Sequence, residues 1–141
     1  MSKVPESLSF PPADNEAAIR HFTSKLGMEV DAWDVHQDLL SRAEGIVVVD
    51  ARKAEAYEAG HIPGAISFPH RAMNAESTQG LDKNALYITY CVSVGCNAST
   101  KAALKLAGFG FKVKELVDGL HGWEEDGYAL AVGREPGSVI E

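Results

Sequence analysis

The chain of 141 residues is long enough to bury one sizeable core and short for two, so a single domain is expected. Its 45% hydrophobic and 23% charged residues are ordinary for a soluble globular protein, while a formal net charge of -7 without a basic patch argues against nucleic acid or an acidic membrane surface as a partner. No apolar run reaches the length of a membrane span and the opening MSKVPESLSFPP lacks a signal-peptide core, so a cytoplasmic location is expected.

Residues 1–13 are polar and carry Pro5, Pro11 and Pro12, which predicts a loose arm. Asp14 then offers an N-cap, and Ile19, Phe22 and Leu26 fall on one helical face that Gly27 can end, with His21 as an exposed helix residue. A short extended piece over Glu29 to Trp33 leads to Asp34, a capping residue for a second helix through Val35, Leu39 and Leu40 to Ala43, on which His36 reads as another plain helix position. The run Ile46-Val47-Val48-Val49-Asp50 is β-branched and almost wholly apolar, as a parallel strand covered on both faces requires. Further helical segments over Lys53 to Ala59, Ser99 to Ala107 and Trp123 to Tyr128 alternate with such runs and predict an α/β domain over 14–130 with a mainly parallel sheet. Between the first of these helices and the next strand, Gly60-His61-Ile62-Pro63-Gly64-Ala65 is a turn by composition. The stretch 131–141, with Gly133, Pro136 and Gly137, reads as a frayed tail.

The stretch that carries chemistry is Leu86 to Gly108, LYITYCVSVGCNASTKAALKLAG. A short buried strand delivers Cys91 at its carboxyl end, a loop of mostly small residues follows over Val92, Ser93, Val94, Gly95, Cys96 and Asn97, and a helix begins near Ala98. Backbone amides of such a loop and a helix N-terminus converge on one point, which stabilises an anion and favours the thiolate form of a cysteine placed there. The plainer reading of Cys91 is a small buried hydrophobe at a strand end. Cys91 and Cys96 are the only cysteines and lie five apart, so they are chemical rather than a staple of the fold. A zinc site needs more ligands, and the five histidines have no paired spacing that would provide them; no metal is expected. In an open parallel sheet ligands bind outside the strand carboxyl ends, where Asp50 to Arg52, Phe68 to Arg71 and Cys91 all fall, so these are expected to share one rim.

Three ordered motifs carry a family resemblance. Val47 to His70, VVVDARKAEAYEAGHIPGAISFPH, resembles the first signature of the rhodanese homology domain; Tyr90 to Ala107 resembles its active-site loop and helix; and Gly119-Leu120-His121-Gly122-Trp123 resembles its closing element. The resemblance covers about residues 30–130, and the loop wording is similar to a bacterial single-domain branch with a second cysteine and an asparagine in the loop. It implies a rhodanese-like fold with a central, mainly parallel five-stranded sheet flanked by helices, here with an extra N-terminal helix. It further implies a sulfurtransferase in which Cys91 accepts sulfane sulfur as a persulfide, with no metal or organic cofactor. The partners it implies are a small sulfur donor such as thiosulfate and a thiol or sulfur-carrier acceptor. Asp50 and Arg52 match positions that hold the fold, His61 matches a family histidine that pins a turn, and Trp123 packs beneath the site. Residues 92–97 and Arg71 are the expected substrate-binding residues.

One departure matters. Many rhodaneses end the loop with an arginine, and Cys96 stands at that position here, so the loop carries no cation and thiosulfate is expected to be a weakly held donor. The missing arginine also weighs against the phosphatase chemistry found on the same fold. A thiol redox protein using Cys91 and Cys96, and a non-catalytic persulfide-binding or regulatory module, stay open beside the sulfurtransferase. Cys96 is read either as a resolving thiol able to form a disulfide with an oxidised Cys91 or as a small residue that fits a tight loop.

Overall fold

The two β-branched, apolar runs become the central strands, and the other elements are ordered by how they cover them. The protein is described over residues 3–140 by a computed structural model, in which α1 (Asn15–Met28), β1 (Glu29–Val30), α2 (Ala32–Leu40), β2 (Ile46–Asp50), α3 (Ala54–Ala59), β3 (Ile66–Ser67), β4 (Leu86–Tyr90), α4 (Ala98–Gly108), β5 (Lys112–Leu116) and α5 (Gly119–Glu125) follow one another. The strands form one sheet in the order β1-β5-β4-β2-β3, and every pairing is parallel. Both faces are covered, as a parallel sheet demands. On one face Val48, Ile88, Tyr90 and Leu116 pack with Ala32 and Val35 of α2, Tyr57 of α3 and Trp123 of α5. On the other, Val49 and Tyr87 pack with Ala102 and Leu106 of α4, Met73 and Phe111. Consecutive residues of β2 and β4 thus alternate between two cores, and the polar residue inside β4, Thr89, is buried with its hydroxyl bonded to the Ser99 carbonyl.

Element boundaries differ from the sequence reading in places with physical causes. Helix α2 starts at Ala32, ahead of Asp34, because the Asp31 carboxylate accepts the Asp34 amide at 2.9 Å and caps it first. His36 on that helix is no plain surface residue, since its ring stacks on Tyr128 with centroids 3.8 Å apart. Helix α5 begins at Gly119, four residues before Trp123, and it has no side-chain cap: the Leu120 and His121 amides of its first turn donate to the carbonyls of Cys91 and Val92 at 3.0 and 2.8 Å. The segment expected to fray is tied down. Ala131 exchanges two 2.9 Å backbone hydrogen bonds with His61, and the Pro136 carbonyl accepts from Gly64 at 2.8 Å. Helix α1 is capped by Asp14 as its sequence predicts, yet none of its residues is buried, and Ile19, Phe22 and Leu26 stay exposed beside the β1–β5 edge.

A buried polar hub joins the two central strands. Asp50 and Tyr90 are register partners, so the Tyr90 hydroxyl donates to the Asp50 carboxylate at 2.8 Å while accepting the Ile62 amide at 3.1 Å. Arg52 closes on the same carboxylate through Nε and Nη2 (2.7 Å for the shortest contact), and Nη2 also donates to the Gly60 carbonyl at 2.6 Å. Burial opposes the Arg52 charge, but the hydrogen bonds and charge of Asp50 outweigh it and hold the guanidinium pKa above its ordinary value. Burial, then the Asp50 charge, pushes the Tyr90 phenol far above its usual range, so it stays a neutral donor. His61 fixes the adjoining turn through Nδ1 to the Tyr57 carbonyl at 2.8 Å and Nε2 to the Pro136 carbonyl at 3.0 Å, with its ring stacked on Tyr57.

Replacing Asp50 by Asn leaves the Arg52 cation, whose side chain is only 10% exposed, without its counter-charge. Breaking such a pair costs about 3–5 kcal/mol, so D50N is expected to melt roughly 10 °C or more below the parent; an unchanged melting temperature contradicts this role. A second test concerns Gly119, whose φ is +58° and where a Cβ would stand 2.3 Å from the Cys91 carbonyl oxygen. G119A is expected to displace the start of the loop and change the alkylation rate of reduced Cys91 by more than about threefold, a barrier change of order 0.7 kcal/mol. Gly108→Ala, with open space at its Cβ, should leave that rate unaltered.

Candidate active site

Strand pairing continues past the strand ends and assembles the site. The Ala51 amide donates to the Tyr90 carbonyl at 3.0 Å and the His70 amide to the Ala51 carbonyl at 3.3 Å, so the segments carrying Cys91, Ala51–Arg52 and His70–Arg71 lie side by side at the carboxyl rim. Between them is a cleft of about 310 Å³ lined by Cys91, Val92, Cys96, Arg52, Lys53 and Arg71, together with Pro69, His70, Ala98 and two alanines. The N-terminus of the 11-residue helix α4 enters it at Ala98, adding the positive end of a helix dipole.

Sequence reading placed the rim correctly and the loop only in part. Cys91, Val92, Cys96 and Arg71 all line the cleft, whereas Ser93, Gly95 and Asn97 do not, and Val94 is 68% exposed and borders a different, acidic hollow beside α5. The expected ring of inward amides is incomplete, because the Cys96 amide donates to the Ser93 carbonyl at 3.0 Å and closes a tight turn. That turn folds Cys96 back on the strand end. Asn97 occupies the cap position of α4 without a side-chain capping bond; the helix is anchored instead by the Ser99 and Thr100 hydroxyls, each donating to Glu115 at 2.6 Å, and by the Thr89 hydroxyl donating to the Ser99 carbonyl.

The two thiols meet: Cys91 and Cys96 are joined as a disulfide, with Cα atoms 6.2 Å apart. Cys91 is buried at 3% exposure and Cys96 half-buried, so Cys96 is the more exposed residue of the pair.

The charge absent from the loop is supplied from outside it. Lys53 and Arg71 are exposed at the cleft and form no ion pair among the described residues, while Arg52 is already neutralised by Asp50. Among the described residues, no acidic one lines the cleft. Burial, then the charges of Lys105, Lys101 and Arg71, lower the His70 pKa, so this ring is neutral near pH 7 and contributes no charge there. Its protonation below the ordinary histidine range favours the unfolded chain, and stability contributed here falls as pH drops through that range. Lys53 is the residue the sequence reading missed, and its only signal was position: it follows the Asp-x-Arg motif directly at a strand end.

Comparison with known proteins agrees with this geometry. The Rhodanese-like domain family model matches residues 34–126. The chain is 33% identical over 114 residues to the HTH-type transcriptional regulator Rv0324 of Mycobacterium tuberculosis, covering 79% of this chain but only about half (50%) of that protein's length. It is 40% identical over 83 residues to the thiosulfate sulfurtransferase GlpE of Pseudomonas entomophila, covering 59% of this chain and 73% of that one. In structure it is similar to the BH2092 protein of Bacillus halodurans, with a TM-score of 0.82 at 42% identity, over 86% of this chain and 88% of the other. Five parallel strands, a cysteine at the end of the central one and a family model spanning residues 34–126 make this chain a member of the rhodanese-like domain family.

Proposed function

We propose that the chain is a sulfurtransferase that carries sulfane sulfur as a persulfide on Cys91. One observation carries the reading: Cys91 lines a cleft whose charged side chains, among the described residues, are all basic, and which the N-terminus of α4 enters. In the reduced protein the Cys91 thiolate attacks the outer sulfur of a donor such as thiosulfate, sulfite leaves, and the new sulfur rests among the free loop amides and the helix terminus. A thiophilic acceptor, a low-molecular-weight thiol or a sulfur-carrier protein, then removes it. The step uses no metal or organic cofactor. The likeness to GlpE supports thiosulfate as a donor, and no helix among the described residues is long and apolar enough to cross a membrane.

A regulatory reading has its own support. The relative Rv0324 is an HTH-type transcriptional regulator of which this chain matches about half, so a role in passing sulfur to a sensor is the second reading. The two differ in turnover: a catalyst consumes donor many times per chain, a sensor once.

Cys91→Ser tests the nucleophile. The change is nearly isosteric, so the variant is expected to keep its melting temperature to within a few degrees, by a stability change of about 1 kcal/mol or less. Its cyanide-dependent thiocyanate production should vanish, and appreciable residual production removes Cys91 from the reaction.

Lys53 and Arg71 are the donor-binding cations in this reading. An exposed charge contact is worth roughly 0.5–1 kcal/mol, so K53A and R71A are each expected to raise the half-saturation concentration for thiosulfate about two- to fivefold, with kcat nearly unchanged. An uncharged dialkyl trisulfide donor should be indifferent to both substitutions. Equal losses with both donors would show that the side chains act on the loop and not on the anion.

A further inference from the structure

Cys96 occupies the place where an anion-holding arginine is expected, and its sulfur reaches Cys91 Sγ itself within the folded loop. The turn that brings it there is closed by the Cys96 amide on the Ser93 carbonyl, and the preceding Cys91 and Val92 carbonyls are fixed by the first turn of α5. The pair is therefore placed by the same bonds that place the nucleophile. An atom within bonding reach of Cys91 Sγ is within reach of the inner sulfur of a Cys91 persulfide, because the inner sulfur is Sγ.

Resting on the sulfurtransferase reading, we propose that Cys96 discharges the Cys91 persulfide internally, releasing hydrosulfide and leaving the Cys91–Cys96 disulfide, so that the protein reduces sulfane sulfur to sulfide in addition to transferring it. The Cys96 thiolate attacks Cys91 Sγ; the Cys91–Cys96 bond forms, the persulfide sulfur–sulfur bond breaks, and the outer sulfur departs with the electron pair as hydrosulfide. The sulfane sulfur is reduced by two electrons and the two cysteine sulfurs are oxidised by two. The proton released by Cys96 goes to solvent or to the departing sulfide. Hydrosulfide leaves into a cleft that holds Lys53 and Arg71 and, among the described residues, no carboxylate.

The cycle closes with an external thiol. Two equivalents reduce the disulfide and become a disulfide themselves, so that with thiosulfate the overall reaction turns one donor and two thiols into sulfite, sulfide and one oxidised thiol pair. Attack falls on Cys96, the more exposed residue of the pair, and expels the buried Cys91 as thiolate, ready for the next donor. A mixed disulfide trapped during the reset therefore sits on Cys96.

The test uses the full chain, reduced, freed of thiol, and mixed with thiosulfate without an acceptor. Sulfide is followed by electrode and the protein by intact mass. The parent is expected to release about one sulfide per chain and end two hydrogens lighter, with the persulfide only transient; added glutathione restores turnover. Cys96→Ser, and Cys96→Ala as a second variant, should retain the added sulfur atom and release sulfide only at background. A parent persulfide as long-lived as that of both variants, or sulfide released equally by all three, overturns the discharge step. If neither folded variant takes up a sulfur atom, the sulfurtransferase reading fails and the discharge step with it.

Discussion

A single carboxylate organises the sheet's carboxyl edge. Asp50 is fully buried, and it is acceptable there only because the guanidinium and the backbone amide of Arg52 and the Tyr90 hydroxyl saturate it. Each of those partners belongs to something else that matters: Arg52 lines the cleft and grips the Gly60 carbonyl, Tyr90 immediately precedes Cys91, and its hydroxyl holds the Ile62 amide. The hub thereby fixes the last residue of β4 against the last residue of β2 and sets where the chain turns out of the sheet. A pair replaced by hydrophobic side chains would serve stability about as well. What it would not do is tie the turn 60–65 and the strand end bearing the cysteine to one point.

The loop that follows is held unevenly. Its first two carbonyls are bonded by α5, whose approach is so close that only glycine fits at 119, and its far end is fixed by α4 through Glu115. Between these anchors Val92 and Val94 are exposed, and a hydrogen bond from the Cys96 amide to the Ser93 carbonyl and the Cys91–Cys96 disulfide close the turn. A loop built in this way fixes Cys91 at its start and carries Cys96 in the turn between the two anchors.

How much of this was readable from sequence depended on whether the cause was local. Strands β2 and β4 announce themselves by apolar, β-branched runs, and the parallel sheet follows from their alternation with helices. The rim of Asp50–Arg52, His70–Arg71 and Cys91 followed from the rule that such ends converge, and the buried Asp50–Arg52 pair and the pinning role of His61 from their motif. Helix α5 was misplaced because its first turn is capped by the loop's carbonyls, which no neighbouring residue advertises. The stretch from Ala131 to Pro136 was misread for a similar reason: glycine and proline there suggest looseness, while its anchors, His61 and Gly64, lie more than sixty residues away. Periodicity identified the apolar face of α1, but periodicity says nothing of whether another element covers it, and in this chain none of that helix is buried. Which loop amides face the sulfur depended on one turn, Ser93 to Cys96, that the small-residue composition permitted but did not specify.

The basic mouth of the cleft sits on a molecule whose formal net charge is -7. These two facts act at different distances. Electrostatic forces in solution fade over about 30 Å in very dilute salt and about 8 Å at physiological ionic strength. In dilute buffer an approaching anion meets the repulsion of the whole protein before it meets Lys53 and Arg71. At physiological ionic strength the far field has collapsed, and the anion feels little until it is at the mouth, where the two cations dominate. Added salt therefore works in two directions on such an encounter, lowering the outer barrier while weakening the final contact, and the net charge of the chain is a poor guide to the ions its cleft admits.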